Sequence, residues 1–277
     1  MNIKTALQNT QQALAKEDTA RIDAELLLCY VLKCSRTFLY SHDQDELSEK
    51  AEENLEQLIK LRQQSAPMAY ILGEKEFWSY SFKLSPLTLI PRPATECLIE
   101  YIEKKTLSSN TSVLDLGTGS GAIAITLAKM YPSWHITAID IQANTLAMAM
   151  HNARLQKVEH IQFFWGSWFS KVPKKKFDLI ISNPPYIDEN DTNLYHGDVQ
   201  YEPRKALISA HQGLEDLEWI IQNAKSHLNK SGLLILEHGY NQQEQIVHLL
   251  KIHGYQNITR HFDHDSHPRY CVGFQDD

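Results

Sequence analysis

The chain has 277 residues, of which 43% are hydrophobic and 22% charged, and its formal net charge is −7. These figures suit a globular protein of one large domain or two. They argue against a dedicated nucleic-acid binder, which carries a basic footprint, and no apolar run approaches the ~18 residues of a membrane span. The polar N-terminus and four cysteines without a CxxC pair (Cys29, Cys34, Cys97 and Cys271) read as a cytoplasmic protein with buried, reduced thiols.

Residues 1–66 read as a helical module. Thr19 is placed to cap a helix whose Ile22, Leu26, Cys29 and Tyr30 form a stripe expected to face a core. Ser48 is placed to cap another, with Leu55, Leu58, Ile59 and Arg62 on its inner side. Arg36-Thr37-Phe38-Leu39-Tyr40 reads as the turn between them. Residues 67–92 form a linker: 76–84 alternate and are aromatic-rich, which predicts a strand or hairpin that 88–90 continue. Pro93 then suits the first turn of a helix carrying Cys97, Leu98, Tyr101 and Ile102.

From 93 to 277 the pattern predicts one α/β domain. Strands at 113–116, 135–140, 161–164, 177–182 and 232–237 alternate with helices at 122–129, 143–155, 214–228 and 242–253. Two strand-like runs, 256–262 and 270–274, close the chain. Such alternation implies a mainly parallel sheet with helices on both faces.

Two loops at predicted strand ends carry the chemistry. Asp115-Leu116-Gly117-Thr118-Gly119-Ser120-Gly121 follows the first strand and opens a helix. Glycines there permit a tight turn and close approach of a ligand, and Asp140, ending the next strand, can accept ribose hydroxyls. Gly117, Gly119 and Ala122 also satisfy a dinucleotide fingerprint, and a purely structural glycine turn gives the same spacing. Asp115, ahead of the first glycine, favours a cationic ligand such as S-adenosylmethionine.

Asn183-Pro184-Pro185-Tyr186 ends the fourth strand. The prolines stop the ladder and push Asn183 out of the helical region. The Asn183 amide oxygen and the Pro184 carbonyl offer two acceptors for a planar NH2 group. Such a nitrogen is a poor nucleophile, because its lone pair is delocalised. Fixing its N–H groups orients it and stabilises the positive charge that develops on methylation. Tyr186 can pack on the planar face. The motif fits methylation of an amide or of an exocyclic amino nitrogen.

With both motifs in one chain, the sequence resembles the bacterial release-factor glutamine methyltransferases (the PrmC/HemK type). The stretches that carry the resemblance are 20–28, 70–78, Leu89-Ile90-Pro91-Arg92-Pro93, 114–121, 182–187 and Tyr201-Glu202-Pro203-Arg204. The resemblance implies a Rossmann-like, class I S-adenosylmethionine-dependent methyltransferase domain with an antiparallel C-terminal strand, behind a helical substrate-recognition domain. It implies N5-methylation of the glutamine in the Gly-Gly-Gln loop of class-1 peptide-chain release factors, supporting translation termination. Gly117, Thr118, Gly119, Ser120, Gly121, Asp140, Trp168 and Asn183 would hold S-adenosylmethionine and its product S-adenosylhomocysteine. Asn183, Pro184, Pro185 and Tyr186 would hold the substrate glutamine, with Asn183, Pro184 and Tyr186 catalytic. A monomer without metal, membrane contact or stable nucleic-acid binding is expected. Adenine N6-methylation, methylation of a ribosomal-protein glutamine, and non-catalytic binding of release factors are the competing readings.

Weaker signals remain. Lys174-Lys175-Lys176 reads as a solvated turn, and His261, His264 and His267 as a coincidental cluster. Arg92 is placed to line the pocket entrance, Glu202 and Arg204 to pair or to brace the Asn183 loop, and 188–197 to form a lid. Ser167 stands where the resembled family commonly has an acidic residue before Trp168. Ser167→Asp should therefore tighten cofactor binding; an unchanged dissociation constant by calorimetry would remove that role.

Overall fold

The computed structural model describes residues 1–276. They divide into two compact units: Met1–Glu74 with Tyr195–Tyr201, and the remainder from Lys75 onward.

The first unit holds α1 (Ile3–Ala13), α2 (Ala20–Leu32), α3 (Arg36–Ser41), α4 (Glu49–Gln63) and α5 (Met68–Leu72). Local chemistry sets several helix starts. The side chains of Asn2, Ser35 and Ser48 accept the N–H groups of Thr5, Phe38 and Ala51, satisfying donors that the helices leave orphaned. Residues 36–41, expected to be a turn, are helical because Ser35 caps them and Leu39 is fully buried. The core gathers Ile3, Leu14, Leu27, Leu28, Leu39 and Leu55.

The α2 stripe is the main departure from expectation. Ile22 and Tyr30 are each 49% exposed, whereas Asp23 and Glu25 are buried. Thr19 caps nothing; its hydroxyl donates to Asp23 at 2.9 Å. Distant partners explain the inversion. Buried Arg62 binds Asp23 at 2.7 Å and Glu17 at 2.9 Å, and donates to the Ala66 carbonyl. Glu25 pairs with Arg36 and accepts the Tyr40 hydroxyl at 2.5 Å. A buried charge is tolerated only when paired, so the arginines decide which face of α2 turns inward.

The second unit opens with a hairpin, β1 (Glu74–Phe77) and β2 (Tyr80–Lys83). Trp78 and Ser79 have φ of 50° and 62°, the double left-handed geometry of a tight hairpin turn. Without glycine this turn is strained. Burial of Phe77 and Phe82, edge to face at 6.1 Å, opposes the strain with ~2 kcal/mol or more per ring. The Trp78 N–H also donates to Glu96 at 2.8 Å. Residues 88–90 do not extend the strand; Ile90 N–H is taken by the Glu202 carboxylate instead.

Helix α6 (Pro93–Glu103) follows, then β3 (Ser112–Leu116), α7 (Ala122–Met130), β4 (His135–Asp140), α8 (Ala143–Leu155), β5 (Gln162–Trp165) and β6 (Phe177–Ser182). After three short 3-10 turns come α9 (Ala210–Gly213, one kinked turn), α10 (Glu215–Ala224), β7 (Leu228–Glu237), α11 (Gln243–Ile252), β8 (Gln256–Phe262) and β9 (Pro268–Phe274). The seven strands lie in the order β5-β4-β3-β6-β7-β9-β8. β9 runs antiparallel between β7 and β8, as the resemblance implies; the other pairings are parallel. Apolar runs in β3, β6 and β7 are buried because helices cover both faces. The strand order reverses between β3 and β6, the position where open α/β sheets bind ligands. Among the described residues, no helix is long and apolar enough to cross a membrane.

Arg62→Ala leaves Asp23 buried without its cation. Breaking such a pair should cost about 3 kcal/mol, measurable as a lower urea midpoint with an unchanged slope.

Candidate active site

Beyond the register pair Leu116–Ser182, β3 and β6 lead directly into the two motif loops. The glycine loop is held by β4: the N–H groups of Gly117 and Thr118 both donate to the Ile139 carbonyl at 3.0 Å. Gly117, Gly119 and Gly121 all have positive φ. A Cβ on Gly121 would lie 2.7 Å from Ile125 Cδ1, and one on Gly117 would lie 3.5 Å from the Trp168 ring. Glycine takes these left-handed conformations without a Cβ penalty, and Trp168 lies beside the loop.

Asp140 fixes its shape. One carboxylate oxygen accepts Gly119 N–H at 2.9 Å and the other Gln142 N–H at 2.8 Å. Each oxygen retains a further lone pair, so the expected contact with ribose hydroxyls is compatible with this bracing. Burial pushes the carboxyl up, and the two N–H groups oppose that. Trp168 is oriented from its far side, its indole N–H donating to Asp216 at 3.2 Å.

Asp115 is fully buried. One oxygen accepts the Thr118 hydroxyl at 2.6 Å; the other has no protein partner among the described residues. Burial pushes its carboxyl up to about 7, opposed by the Thr118 hydroxyl and the Ala124 backbone N–H, with nearby Asp140 adding a small effect of the same sign as burial. A buried carboxyl with an unpartnered oxygen at the base of a glycine cradle is stabilised in its charged form by a ligand bearing positive charge.

At the end of β6, the Ser182 hydroxyl donates to Leu116 O at 2.7 Å, tying the two strand ends. Asn183 Nδ2 donates to the Thr95 hydroxyl at 3.1 Å, and that hydroxyl donates to Glu237 Oε2 at 2.7 Å. The Tyr186 hydroxyl donates to Glu237 Oε1 at 3.2 Å. Burial pushes the Glu237 carboxyl up; Thr95, Arg269, Tyr186 and Arg92 pull it back. Tyr186 itself is pushed well above the usual phenol range by the same burial. Behind the motif, Gln242 Nε2 donates to Tyr186 O at 2.9 Å. Gly213, with φ of 81°, passes so close that a Cβ would lie 2.1 Å from that oxygen. Pro184 is buried and Pro185 half-buried.

The structure therefore groups Gly117, Thr118, Gly119, Ser120, Gly121, Asp140 and Trp168 around one loop, with Asn183 to Tyr186 on the adjoining strand end. Thr95, Glu237, Gly213, Gln242 and Asp216 were not expected. Each acts on a motif residue distant in sequence. Arg92 pairs with Glu202, so both brace the segment before α6. The histidines do not converge: His261 stacks on Tyr270, His264 pairs with Glu100, and His267 lies near Asp263. Cys97 also lies near His264 and Glu100, all three ligand atoms being within 4.8 Å of one another.

Burial of Asp115 makes the stability of the fold depend on pH. In the unfolded chain an aspartate has lost its proton above pH ~4, while the folded protein keeps this one to about pH 7. Folding thus binds a proton across that window, and this residue's contribution to stability falls as pH rises through it, then levels off. Thermal melts between pH 4.5 and 8 should show Asp115→Asn gaining stability relative to the parent as pH rises.

The methyltransferase small domain family matches residues 92–199, and the PrmC N-terminal domain family matches residues 5–73. The release factor glutamine methyltransferase of Shewanella oneidensis is 43% identical over 262 residues, covering 95% of this chain and 92% of that protein. That of Vibrio cholerae is also 43% identical, over 272 residues, covering 98% and 94%. A methyltransferase structure from Pyrococcus furiosus shares the fold at a TM-score of 0.55 and 18% identity, over 73% of this chain and 92% of that one. With near-complete coverage by such relatives, the chain belongs to the family of release factor glutamine methyltransferases.

Proposed function

We propose that this protein methylates the side-chain amide nitrogen (N5) of the glutamine in the Gly-Gly-Gln loop of class-1 peptide-chain release factors, with S-adenosyl-L-methionine as donor. The observation that carries the reading is the juxtaposition of a glycine cradle with an orphaned buried carboxylate and, on the adjoining strand end, a rigid pair of acceptors at Asn183 and Pro184.

The residues present fit the cofactor. Gly119 leaves the face of the loop bare, since a Cβ there would meet nothing nearer than 4.0 Å, Asp140 is placed for ribose hydroxyls, and Trp168 offers an aromatic face to adenine. Asp115 lies beneath the loop with its carboxyl pushed up to about 7 by burial, and a cation bound above it would draw it toward the charged form. When bound, S-adenosylmethionine supplies an electrophilic methyl group and leaves as S-adenosylhomocysteine.

The protein's own part concerns the substrate amide. Asn183 Oδ1 and Pro184 O accept its two N–H groups, which holds the nitrogen in one orientation. As the nitrogen is alkylated its N–H groups become more acidic, so the same two acceptors bind the transition state more strongly than the ground state. No strong base is required beforehand, because the proton is readily lost once the nitrogen carries the methyl group. Tyr186 is held by Glu237 through its hydroxyl, leaving its ring to pack on the planar amide.

A Gly-Gly-Gln loop offers little to recognise, so selectivity needs contacts elsewhere. The helical unit exposes Ile22, Tyr30 and Tyr40 (49, 49 and 55%), apolar side chains suited to a protein surface. We assign substrate docking to that unit. The net charge of −7 accords with a protein substrate and with the absence of stable nucleic-acid binding; we extend the proposal to action in the cytoplasm as a monomer.

Incubation with methyl-labelled S-adenosylmethionine tests the reading. Label should enter intact release factor and not the variant whose loop glutamine is alanine, a ribosomal protein or adenine-containing DNA. A short Gly-Gly-Gln peptide should show a far lower kcat/KM than the intact factor. Label on the DNA alone would overturn the assignment, and equal kcat/KM for peptide and factor would remove the docking role.

A further inference from the structure

We infer that Thr95 and Glu237 are positioning residues that set the polarity of the Asn183 amide, so that Oδ1 and not the NH2 group faces the substrate. This rests on the glutamine-binding role proposed for Asn183.

The need arises from the chemistry of asparagine. Rotating its amide by half a turn exchanges oxygen and NH2 at almost no steric cost. The rigidity of Asn183-Pro184-Pro185 places the side chain but says nothing about which atom points outward. Presented with the NH2 outward, the site would set donor against donor and repel an amide N–H. Some partner must therefore break the near-symmetry.

Thr95 alone is insufficient, because a hydroxyl both donates and accepts. Glu237 removes the ambiguity. It is fully buried at the end of β7, and its two oxygens take the Thr95 hydroxyl at 2.7 Å and the Tyr186 hydroxyl at 3.2 Å. With its single proton committed to Glu237, the Thr95 oxygen has only lone pairs left for Asn183. The amide then turns its NH2 inward, at 3.1 Å from Thr95 Oγ1. Oδ1 is left without a protein donor among the described residues. The reversed amide would set two acceptors against each other beside a side chain that is 5% exposed, a penalty that disfavours it by tenfold or more.

The arrangement draws on three segments: α6 for Thr95, the loop after β6 for Asn183 and Tyr186, and β7 for Glu237. One carboxylate thereby holds both ends of the four-residue motif. Burial pushes the Glu237 carboxyl up, and the charges of Arg269 and Arg92 oppose that, in the direction that favours the acceptor form.

Thr95→Val keeps the shape and removes the hydroxyl; Thr95→Ser keeps the hydroxyl. Two readouts are taken on the full-length protein. In methylation of release factor, Thr95→Val should lower kcat at least tenfold while the dissociation constant for S-adenosylhomocysteine, by calorimetry, changes less than threefold. Thr95→Ser should recover kcat to within threefold of wild type. In proton–nitrogen correlation spectra, the Asn183 side-chain NH2 pair, assigned by its loss in Asn183→Ala, should shift and exchange faster in Thr95→Val but not in Thr95→Ser. Wild-type kcat in Thr95→Val, or equal defects in the valine and serine variants, would overturn the inference. If wild type itself leaves release factor unmethylated, the proposed substrate fails and the NH2 resonances alone decide: an unchanged pair in Thr95→Val rejects the relay, and a shift rescued by serine supports it.

Discussion

A carboxylate without water must be met by donors, and at Glu237 that constraint organises the second unit. Burying it unpaired would cost several kcal/mol, so every segment that reaches it is fixed by the need to supply a proton or a positive charge. Thr95 comes from the first turn of α6 and Tyr186 from the loop after β6. The segment ahead of α6 is held in turn by Glu202, which takes Ile90 N–H and the Arg92 guanidinium. A second buried acid thus anchors the helix that brings Thr95 to the first. The other side of Tyr186 is closed by Gln242 and by the bare backbone of Gly213. The motif is rigid because its neighbours are, and the two prolines contribute only the last part of that rigidity.

The glycine loop follows the opposite strategy. It is held by backbone donors and kept free of side chains on its open side. Asp140 and the Ile139 carbonyl grip it from β4, while buried Asn152 on α8 accepts Lys83 N–H at 2.8 Å and donates to Ser120 O at 2.9 Å. Asn152 therefore couples the hairpin to the cradle. That coupling gives a physical reason for a strained hairpin with Trp78 and Ser79 at positive φ: the hairpin supports the loop as well as joining two stretches of chain. Asp115 is left with one oxygen unpartnered beneath the loop, and burial answers that cost by holding the carboxyl's proton up to about pH 7.

Local signals made much of this legible in the sequence. Pro93 starts α6, Ser48 caps α4, and the alternation of apolar runs with helical spacing gives the sheet almost residue by residue. Both motif loops lie at strand ends because glycine and proline punctuate the chain there. What was not legible depends on partners far along the chain. The α2 stripe reads as a core face until Arg62 and Arg36 claim Asp23 and Glu25. β7 begins at Leu228, before the apolar run that marks it, since pairing with Phe177 extends it across an irregular register. Thr95 and Glu237 stand 142 positions apart, and neither belongs to a recognisable motif. Residues that touch a ligand announce themselves by composition; those that orient them are ordinary residues in the right place.

The four residues at the end of β6 offer the same two acceptors to any planar NH2 group, whether of adenine or of glutamine. Discrimination must then come from what surrounds them. A polynucleotide substrate demands cations along its phosphates, and the chain has 34 acidic residues against 27 lysines and arginines. The docking role proposed for the helical unit draws on the apolar side chains that α2 exposes on the face its buried ion pairs turn outward. The same arginines that bury Asp23 and Glu25 leave Ile22 and Tyr30 exposed, so the electrostatics of the helical core dictate which apolar residues reach the surface.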